Sequence, residues 1–538
     1  MRDFWRSGDP YAWLTGAALV FSLLMVGGLL LLIITKGLGI FWPSRVVLIT
    51  MKDASIYMGQ EVGSESIPVP DAQAGTLKKY RMRLKIGNRD LYGNDFKWVN
   101  NEDISTTAYP ADAVVMERTE WGNMYAHISE VIDGEKSLAT GVEASISLLK
   151  SLLPENKKLI KKVAGIEKND LGGISTKIEN LRLQMNILEK NGKTTEALNN
   201  KIAIDALQTL YKDKEQGLVK LKEAINNVQV VVKSVEGTVK RLPLANIVRL
   251  YKPNDMGVLA KTGVYISKFW EFISEQPREA NTEGGVFPAI FGTVFMVLVM
   301  SIAVMPFGVL AAVYLKEYAR QGLIVKIIRI CVNNLAGVPS MVFGVFGLGF
   351  FIYGIGGTID KLFFKSSLPT PTFGTGGVLW ASLTLTLLTL PVVIVSTEEG
   401  LAAVPQDIKL GSLSLGANRF ETLLHIIIPA AMPGILTGLI LAIARAAGEV
   451  APLMFTGVVK LAPSLPIDMN LPFVHLERKF MHLGFHIYDV GFQSPNVEAA
   501  KPMVYMTTFL LILIVIFLNL TAIKIRNHLK RKYTASTF

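Results

Sequence analysis

Arg445 and Glu449 are two charged residues in an apolar stretch, and their types and spacing could do chemistry. On a helix, residues four positions apart share one face and lie close enough to pair. Counted from a helix start at Gly434, Arg445 lies about 16 Å along the helix, and an arginine at such a depth in a membrane costs on the order of 2.5–3.5 kcal/mol to insert. A guanidinium also binds phosphate oxygens with two parallel hydrogen bonds. Two interpretations stay open: the pair only satisfies two buried charges, or Arg445 contacts an anion that crosses the membrane.

Three other patterns are weaker candidates for a site. His482 and His486 have the i, i+4 spacing that can hold a metal ion on a helix, but no convincing third ligand is near. An amphipathic loop helix is therefore the favoured interpretation, and we predict no metal and no cofactor. Gly192-Lys193-Thr194 resembles the end of a phosphate-binding loop, but Ile187 occupies the place of its first glycine. The single cysteine, Cys331, excludes an internal disulfide, and no catalytic triad or carboxylate pair is evident, so we expect no enzymatic activity in this chain.

The composition of the whole chain is typical of a membrane protein. Of the 538 residues, 50% are hydrophobic and 18% are charged, and the mean hydropathy is +0.38. A soluble protein carries about a quarter charged residues, which argues against an entirely cytosolic globular protein. The net charge of +11 indicates Lys and Arg held at the cytoplasmic side of a membrane, with no need for nucleic-acid binding.

Six apolar runs are long enough to cross a hydrocarbon layer of about 30 Å. They are Trp13–Ile34, Phe287–Leu315, Ile327–Tyr353, Val378–Val395, Gly434–Val458 and Met503–Ile523. The first run follows a basic start, as the apolar part of a signal peptide would. It is too long for that role and no small-residue cleavage site follows, so we interpret it as a membrane anchor.

The distribution of Lys and Arg predicts the orientation. Both ends of the chain, with the loops that join runs two to three and four to five, carry more basic residues than the opposite loops. The positive-inside rule then places both termini in the cytoplasm and the polar insert Pro43–Gly285 outside. In a bacterium this corresponds to the inner membrane with a periplasmic insert.

The sequence of the insert has two different hydrophobic patterns. From Arg45 to about Ala126, apolar and polar residues alternate, which predicts a small β-rich domain. From about Ile128 to Val239 the period is helical, and two heptad seams separated by Asn191-Gly192 predict an antiparallel hairpin or coiled coil. The seam residues are Ile174, Ile178, Leu181, Met185 and Leu188, then Leu218, Leu221, Ile225, Val228, Val232 and Val235. A rigid spacer or self-packed bundle is favoured over a partner-binding surface.

The chain is therefore divided as follows. We predict a cytoplasmic tip with the first transmembrane helix at 1–42, the periplasmic insert at 43–285, a core of five transmembrane helices at 286–525 and a basic cytoplasmic tail at 526–538. Within the insert, we predict a β-rich part at 43–127, the helical hairpin at 128–245 and the return to the membrane at 246–285.

The stretch 397–433 between the fourth and fifth runs is the most informative polar segment. A short helix is predicted to end at Gly416, followed by a turn and a second helix that closes at Pro429, because glycine permits a tight turn and proline stops a helix. A helix of this kind along the membrane surface suits docking to a soluble partner. A plain connecting loop is the alternative.

This stretch resembles the coupling loop of ABC-importer permeases, in which a Glu-Ala-Ala pattern precedes a glycine and a later Ile-x-x-x-Pro stretch. Gly416, the region of Arg419 and Pro429 match, whereas Leu410-Gly411-Ser412 replaces Glu-Ala-Ala. Four further stretches resemble the phosphate permease family of PstA: Gly284–Ile290, Leu310–Tyr318, Leu335–Ser340 and Ala442–Leu453. The resemblance covers the C-terminal part of the chain and does not include the long insert.

The resemblance implies a mainly α, polytopic protein with six transmembrane helices in the type I ABC importer permease fold. It implies a transport subunit for inorganic phosphate that has no ATP site of its own. The implied partners are a second, PstC-like permease, two copies of a cytoplasmic ATPase subunit, a periplasmic phosphate-binding protein and the lipid bilayer. The residues implied to couple to the ATPase are Leu410, Gly411, Ser412, Gly416, Ala417, Arg419 and Pro429.

Three alternatives to this function stay open at the level of sequence. The permease could carry a related oxyanion in place of phosphate. The spans could merely anchor a periplasmic coiled-coil sensor or scaffold, although five closely grouped spans with Gly, Pro and an internal Arg argue against this. The protein could also be a secondary transporter, which would not associate with an ATPase.

Overall fold

The computed structural model describes residues 8–67, 79–190, 192–469, 472–494 and 497–534. Its contacts divide the chain into two compact units. One, the membrane unit, comprises residues 1–40, 273–276 and 286–538 and begins with helix α1 (Asp9–Leu38); the other, the insert unit, comprises residues 41–272 and 277–285. Arg2 and Arg6 of the predicted cytoplasmic tip and residues 535–538 of the predicted tail lie outside the described residues.

The insert unit contains two antiparallel sheets. The five strands of the first lie in the order β4-β3-β2-β1-β5 and are β1 (Val46–Met51), β2 (Ile56–Ser66), β3 (Tyr80–Lys85), β4 (Phe96–Asn100) and β5 (Ile104–Ala108). The second has the order β10-β9-β7-β6-β11 with β8 beside β7, and its strands are β6 (Val114–Arg118), β7 (Met124–Asp133), β8 (Lys136–Thr140), β9 (Val228–Lys233), β10 (Val239–Pro243) and β11 (Ile247–Tyr251). Helix α2 (Arg89–Tyr92) is a single turn between β3 and β4.

The helical part of the insert is shorter than its sequence period indicates. It consists of α3 (Val142–Gly165), which continues through a π-helical segment into α4 (Gly172–Lys190), and of α5 (Thr194–Asn227). Helices α4 and α5 pack together, and ion pairs join Lys214 to Asp170 at 2.5 Å and Lys222 to Glu167 at 2.6 Å.

The predicted hairpin boundaries, 128 and 245, are therefore wrong at both ends. The seam through Val228, Val232 and Val235 is also wrong, because Val228–Lys233 is strand β9. Val232 pairs with Ile128 of β7, and both side chains are buried in the second sheet. Valine is β-branched and packs well on a pleated surface, so the tertiary setting overrides a period that suits either structure.

A buried ionic cluster holds helix α6 (Val258–Ser274) to the second sheet. The carboxylate of Glu117 on β6 lies 2.7 Å from Arg249 and 2.5 Å from Lys268, and Arg249 also contacts Glu271 at 2.7 Å. Burial alone raises the pKa of Glu117, but the charges of Lys268 and Arg249 outweigh it and hold the pKa down to about 2. The cluster keeps each buried charge beside a partner, as burial of ions requires.

Two short strands, β12 (Pro277–Arg278) and β13 (Glu283–Gly284), close the insert unit, and the remaining elements are helices of the membrane unit. They are α7 (Phe287–Val313), α8 (Leu323–Leu335), α9 (Ser340–Phe346), α10 (Gly357–Phe363), α11 (Val378–Ala402), α12 (Gln406–Ser414), α13 (Arg419–Thr422), α14 (Ile428–Gly448), α15 (Ala451–Thr456), α16 (Leu483–Tyr488) and α17 (Val497–Thr534). π-helical turns join α9 to α10 at 347–356 and α13 to α14 at 423–427, and they extend the ends of α7 at 314–318 and of α16 at 489–493.

Among the described residues, six helical segments are long and apolar enough to cross a membrane. Spans 1 to 6 are Tyr11–Phe41, Phe287–Tyr318, Ser340–Phe363, Val378–Ala402, Arg419–Gly448 and Val497–Arg531. The predicted fold class, mainly helical with six spans and a β-rich insert, is confirmed. Span 4 is the central one, since 67% of its apolar window is buried in the chain, against 6% for span 1.

Two predicted spans have wrong boundaries. The run Ile327–Tyr353 is two elements, because α8 ends at Leu335 and span 3 begins at Ser340 after Pro339. Pro339 is the N-cap of α9 and has an extended backbone, which interrupts a helix. The run Gly434–Val458 is also interrupted: the helix that begins at Arg419 ends at Gly448, and α15 starts afresh with Pro452 in its first turn.

Spans 4 and 5 cross at a glycine contact. A Cβ atom on Gly434 would lie 2.5 Å from Cα of Gly400, closer than any real Cβ contact. Small residues at such crossings let two helix backbones approach closely inside a membrane. The contact fixes the end of span 4 relative to span 5, at the place where the loop 397–433 joins the two spans.

Candidate functional site

The loop between spans 4 and 5 folds into two short helices joined by a turn, which we call the elbow. The elbow consists of α12 (Gln406–Ser414), the turn at Gly416 and α13 (Arg419–Thr422). Helix α12 ends in a Schellman motif, in which the N–H of Gly416 donates to the carbonyl of Leu413 at 3.0 Å and that of Ala417 donates to Ser412 at 3.3 Å. Gly416 has φ of +92°, a left-handed conformation that costs other L-residues about 1–2 kcal/mol. The predicted turn at Gly416 is present and needs glycine for its backbone alone, since a Cβ there would meet nothing within 4 Å.

The second arm of the elbow starts with a capping box. The Asn418 side chain accepts from the backbone N–H of Glu421 at 2.8 Å, and the Glu421 carboxylate accepts from the N–H of Asn418 at 2.8 Å. The hydroxyls of Ser412 and Thr422 are 2.9 Å apart and join the two arms. These hydrogen bonds restrict the turn and hold the two arms in one relative orientation.

Pro429 does not close the second helix, contrary to the prediction. The helix continues from Arg419 to Gly448, and Pro429 lies about 15 Å along it from Arg419. Proline lacks an N–H donor, and the π-helical turn Leu423–Ile427 just before it shifts the hydrogen-bond pattern so that the helix can continue. Pro429 thus belongs to span 5, away from the elbow.

The remaining predicted residues of the loop differ in exposure. Leu410, Gly411 and Arg419 are exposed, and Ser412 and Ala417 are half-buried. Leu415 is 91% exposed, and Phe420 on the second arm is 62% exposed. Two large apolar side chains are therefore exposed close to Leu410-Gly411-Ser412, which stands in place of Glu-Ala-Ala.

Polar contacts connect the elbow to span 2 and α8 to span 4. Lys409 on α12 pairs with Glu317 at the end of span 2. Arg329 on α8 contacts Glu398 of span 4 at 3.2 Å and Gln321 at 3.0 Å. A cavity of about 250 Å³ lies beside the first pair and is lined by residues that include Glu317, Lys409, Leu413, Arg419 and Thr422.

Arg445 and Glu449 form an ion pair, but not at mid-span on one helix face. Arg445 lies in the last turn of the helix that ends at Gly448, and Glu449 has an extended backbone with ψ of 137°. Arg445 Nε is 3.5 Å from Glu449 Oε1, and the side chains are 32% and 20% exposed. The predicted depth is wrong because the helix starts at Arg419 and not at Gly434. A cation in the last turn is favoured by the helix dipole, so the position is less costly than mid-span.

His482 and His486 are buried inside the membrane unit. His482 is the N-cap of α16, where its Nδ1 accepts from the N–H of Gly484 at 3.1 Å, and the N–H of Leu483 donates to Thr293 of span 2 at 2.9 Å. Burial lowers the pKa of His482 to about 3 and that of His486 to about 4, so both are neutral at physiological pH. The predicted loop helix is present as α16, but it has no exposed polar face, since none of its residues is exposed and it packs against span 2. The part of the chain that the structure describes holds no group of three or more His, Cys, Asp or Glu that could bind a metal ion.

Sequence reasoning missed several residues of the elbow. The spacing of Asn418 and Glu421 is a readable capping-box signal. The contact of Lys409 with Glu317 has no signal, because 92 positions separate the two residues.

Comparison with known proteins identifies a family that this chain resembles. Residues 304–534 match the family described as "Binding-protein-dependent transport system inner membrane component". The chain is 31% identical over 274 residues to the probable ABC transporter permease protein YqgI of Bacillus subtilis (strain 168), which covers 50% of this chain and 86% of that protein. It is 33% identical over 244 residues to the phosphate transport system permease protein PstA 1 of Mycobacterium tuberculosis (strain ATCC 25618 / H37Rv), which covers 45% of this chain and 70% of that protein.

A solved structure is also similar. A chain of the inward-facing MetNI methionine ABC transporter has 16% identity and a TM-score of 0.31, over 49% of this chain and 98% of that chain. A TM-score this low adds nothing to the assignment, which follows from the family match, the two relatives and the six apolar helices. The chain therefore belongs to the family of binding-protein-dependent transport system inner membrane components, the ABC-importer permeases, in the branch that contains the PstA proteins.

Proposed function

We propose that this chain is the permease subunit of an ATP-driven importer for inorganic phosphate. The observation that carries the proposal is the likeness to curated phosphate transport system permease proteins PstA, including 37% identity over 202 residues with that of Mycobacterium leprae (strain TN). The chain binds a PstC-like second permease, two copies of a cytoplasmic ATPase subunit and a periplasmic phosphate-binding protein, and it hydrolyses no ATP itself.

The elbow couples the ATPase to the spans. It comprises α12, the turn at Gly416 and the short helix α13, and it docks to the ATPase through Leu410, Gly411, Ser412, Gly416, Ala417 and Arg419. Its Schellman motif and capping box make it stiff, so a displacement at its tip reaches span 5 without being absorbed by the turn. Pro429 then acts within the span and not at the docking surface.

Arg445 is the residue that contacts the anion in the pathway. Its side chain is 32% exposed and pairs with Glu449 at 3.5 Å, a distance that leaves no direct hydrogen bond to displace. Two parallel hydrogen bonds from the guanidinium suit phosphate oxygens. Glu449 holds the arginine in place until the anion arrives.

The orientation places both termini in the cytoplasm and residues 43–285 in the periplasm. The insert is a separate compact unit, which supports a domain that folds outside the bilayer. A cysteine introduced at residue 150 of a Cys331-free chain should react with an impermeant reagent added outside intact spheroplasts. Reaction only after lysis would reverse the orientation.

The function is tested with the four-part complex in proteoliposomes. We expect ATP-dependent uptake of radioactive phosphate that requires the binding protein and the ATPase. Uptake competed by arsenate but unaffected by sulfate or molybdate supports phosphate; stronger competition by another oxyanion identifies that oxyanion as the substrate. If no ATPase subunit co-purifies with the chain, the importer is excluded in favour of a secondary transporter or an anchored scaffold.

A further inference from the structure

Glu317 lies where span 2 ends, and its carboxylate pairs with Lys409 of α12. The Glu317 side chain is 13% exposed and that of Lys409 is 32% exposed, so the contact is shielded from water much more than a surface ion pair is. Such shielding weakens screening by water and salt. The pair therefore joins the elbow to span 2, although 92 positions separate the two residues.

A second contact extends the connection to two more helices. Arg329 of α8 contacts Glu398 near the end of span 4, and it donates to Gln321 just after span 2. Gln321 in turn donates to the carbonyl of Leu315 in span 2 at 3.0 Å. Spans 2 and 4, α8 and the elbow therefore share one polar layer at the same end of the membrane unit.

The elbow has space to move relative to this layer. The cavity of about 250 Å³ lies between α12, the start of span 5 and the end of span 2, with Glu317 and Lys409 in its lining. Because the elbow is internally rigid, movement of α12 must either pull Glu317 with it or break the ion pair. The glycine contact of Gly400 with Gly434 holds spans 4 and 5 together. Span 2 packs along span 4 through a shared apolar core, and the Lys409–Glu317 pair joins the end of span 2 to the elbow.

We propose that the Lys409–Glu317 ion pair transmits the movement of the elbow to span 2 during transport. This inference rests on the proposed function, because it needs an ATPase that displaces the elbow. Lys409 and Glu317 are positioning residues: neither contacts the anion, and neither is required for the ATPase to bind. The alternative is a purely structural pair that neutralises two shielded charges.

The two roles predict opposite results when both charges are removed together. Replacing both partners of a structural pair by uncharged groups of similar size is nearly neutral, because no unpaired charge remains. Loss of a transmitting contact instead lowers coupling. For Glu317→Gln with Lys409→Met we expect ATP-dependent uptake to fall about tenfold, within the range of measured coupling effects. ATP hydrolysis by the assembled complex should stay within about twofold, so that hydrolysis is uncoupled from uptake.

The charge-reversed pair, Glu317→Lys with Lys409→Glu, provides the rescue. It restores the ion pair with opposite polarity, and we expect uptake of at least about half the wild-type rate, while each single reversal is inactive because like charges face each other. Lys326→Met is the matched control. Lys326 is an exposed lysine on α8 with no ion pair among the described residues, and its loss should leave uptake unchanged.

Co-purification of the ATPase separates assembly from transmission in every variant. Normal uptake by the doubly neutral variant overturns the inference and leaves the proposed function intact. Failure of the charge-reversed variant to exceed the doubly neutral one in uptake, with the complex assembled, also overturns it. Absence of ATP-dependent phosphate uptake by the wild-type complex overturns the proposed function itself.

Discussion

Arg445 and Glu449 meet around the end of a helix: Arg445 is in the last helical turn, Glu449 is in extended backbone, and Nε lies 3.5 Å from Oε1. Because the helix ends between them, the pair does not stiffen a helix face. It instead ties the end of span 5 to the extended segment that follows. Both side chains keep some exposure, at 32% for Arg445 and 20% for Glu449.

Replacement of Arg445 by Lys tests contact with the anion. Lysine keeps the charge and the pairing with Glu449 but loses the planar fork that binds two oxygens. A hydrogen bond to a charged group contributes about 1.5–3 kcal/mol, so we expect the KM for phosphate uptake to rise about tenfold or more. Glu449→Gln keeps the guanidinium but removes the charge that positions it, so we expect a smaller rise in KM than for Arg445→Lys. A normal KM for Arg445→Lys in an assembled complex would indicate that the pair is only structural.

Substitutions of Gly416 test whether the elbow needs the left-handed backbone conformation at this position. Valine at φ of +92° is strained by its β-branch, whereas asparagine visits the left-handed region readily. We expect Gly416→Val to insert into the membrane but to weaken ATPase co-purification and abolish uptake, with Gly416→Asn much less affected. Gly217→Ala is the control, since Gly217 lies on helix α5 of the insert unit and a Cβ there meets nothing within 4 Å. Equal uptake by the Val and Asn variants would contradict a role for the backbone conformation.

Shortening of the hairpin tests whether the insert takes part in transport. Replacing residues 175–209 by a short Gly/Ser linker keeps the ion pairs Lys214–Asp170 and Lys222–Glu167, and with them the base of the hairpin. We expect an assembled complex with largely intact uptake. Replacement of 128–239 should unfold the insert, because it removes strands β7 and β9 from the second sheet. Loss of uptake in the shorter variant, with assembly unchanged, would assign the hairpin to substrate delivery.

The pKa of Glu117 predicts a pH dependence of stability. This pKa is lowered in the folded insert to about 2, so its ionisation stabilises the fold above the unfolded pKa of about 4.3 and the stabilisation is lost as pH falls from about 5 towards 2. Glu117→Gln should be less stable than the wild type at pH 7, since it leaves Arg249 and Lys268 without their shared carboxylate, and its stability should fall less between pH 5 and 3. The full chain in detergent, followed by tryptophan fluorescence during thermal unfolding, provides the measurement. Parallel pH profiles for the two proteins would contradict the assignment.

The sequence alone determined the membrane class and the main segments. Apolar runs locate helices because no water is available in a bilayer to satisfy exposed backbone groups, so a long run must be helical. The turn at Gly416 was also readable, since few residues adopt a left-handed backbone without cost. Both signals are local, so a few neighbouring residues are enough to carry them.

Tertiary structure decided the features that depend on distant partners. Val228–Lys233 becomes a strand because β7 offers an open edge, although its valines also fit the helical period. Pro429 is tolerated inside a span because a π-helical turn adjusts the hydrogen bonds before it, while Pro339 is the N-cap of α9, where span 3 begins after α8 has ended at Leu335. Lys409 and Glu317 are 92 positions apart in sequence, and they form an ion pair only because the fold brings the elbow next to span 2. Local periodicity reports which residues prefer to be buried, but the neighbours that bury them are supplied by the rest of the chain.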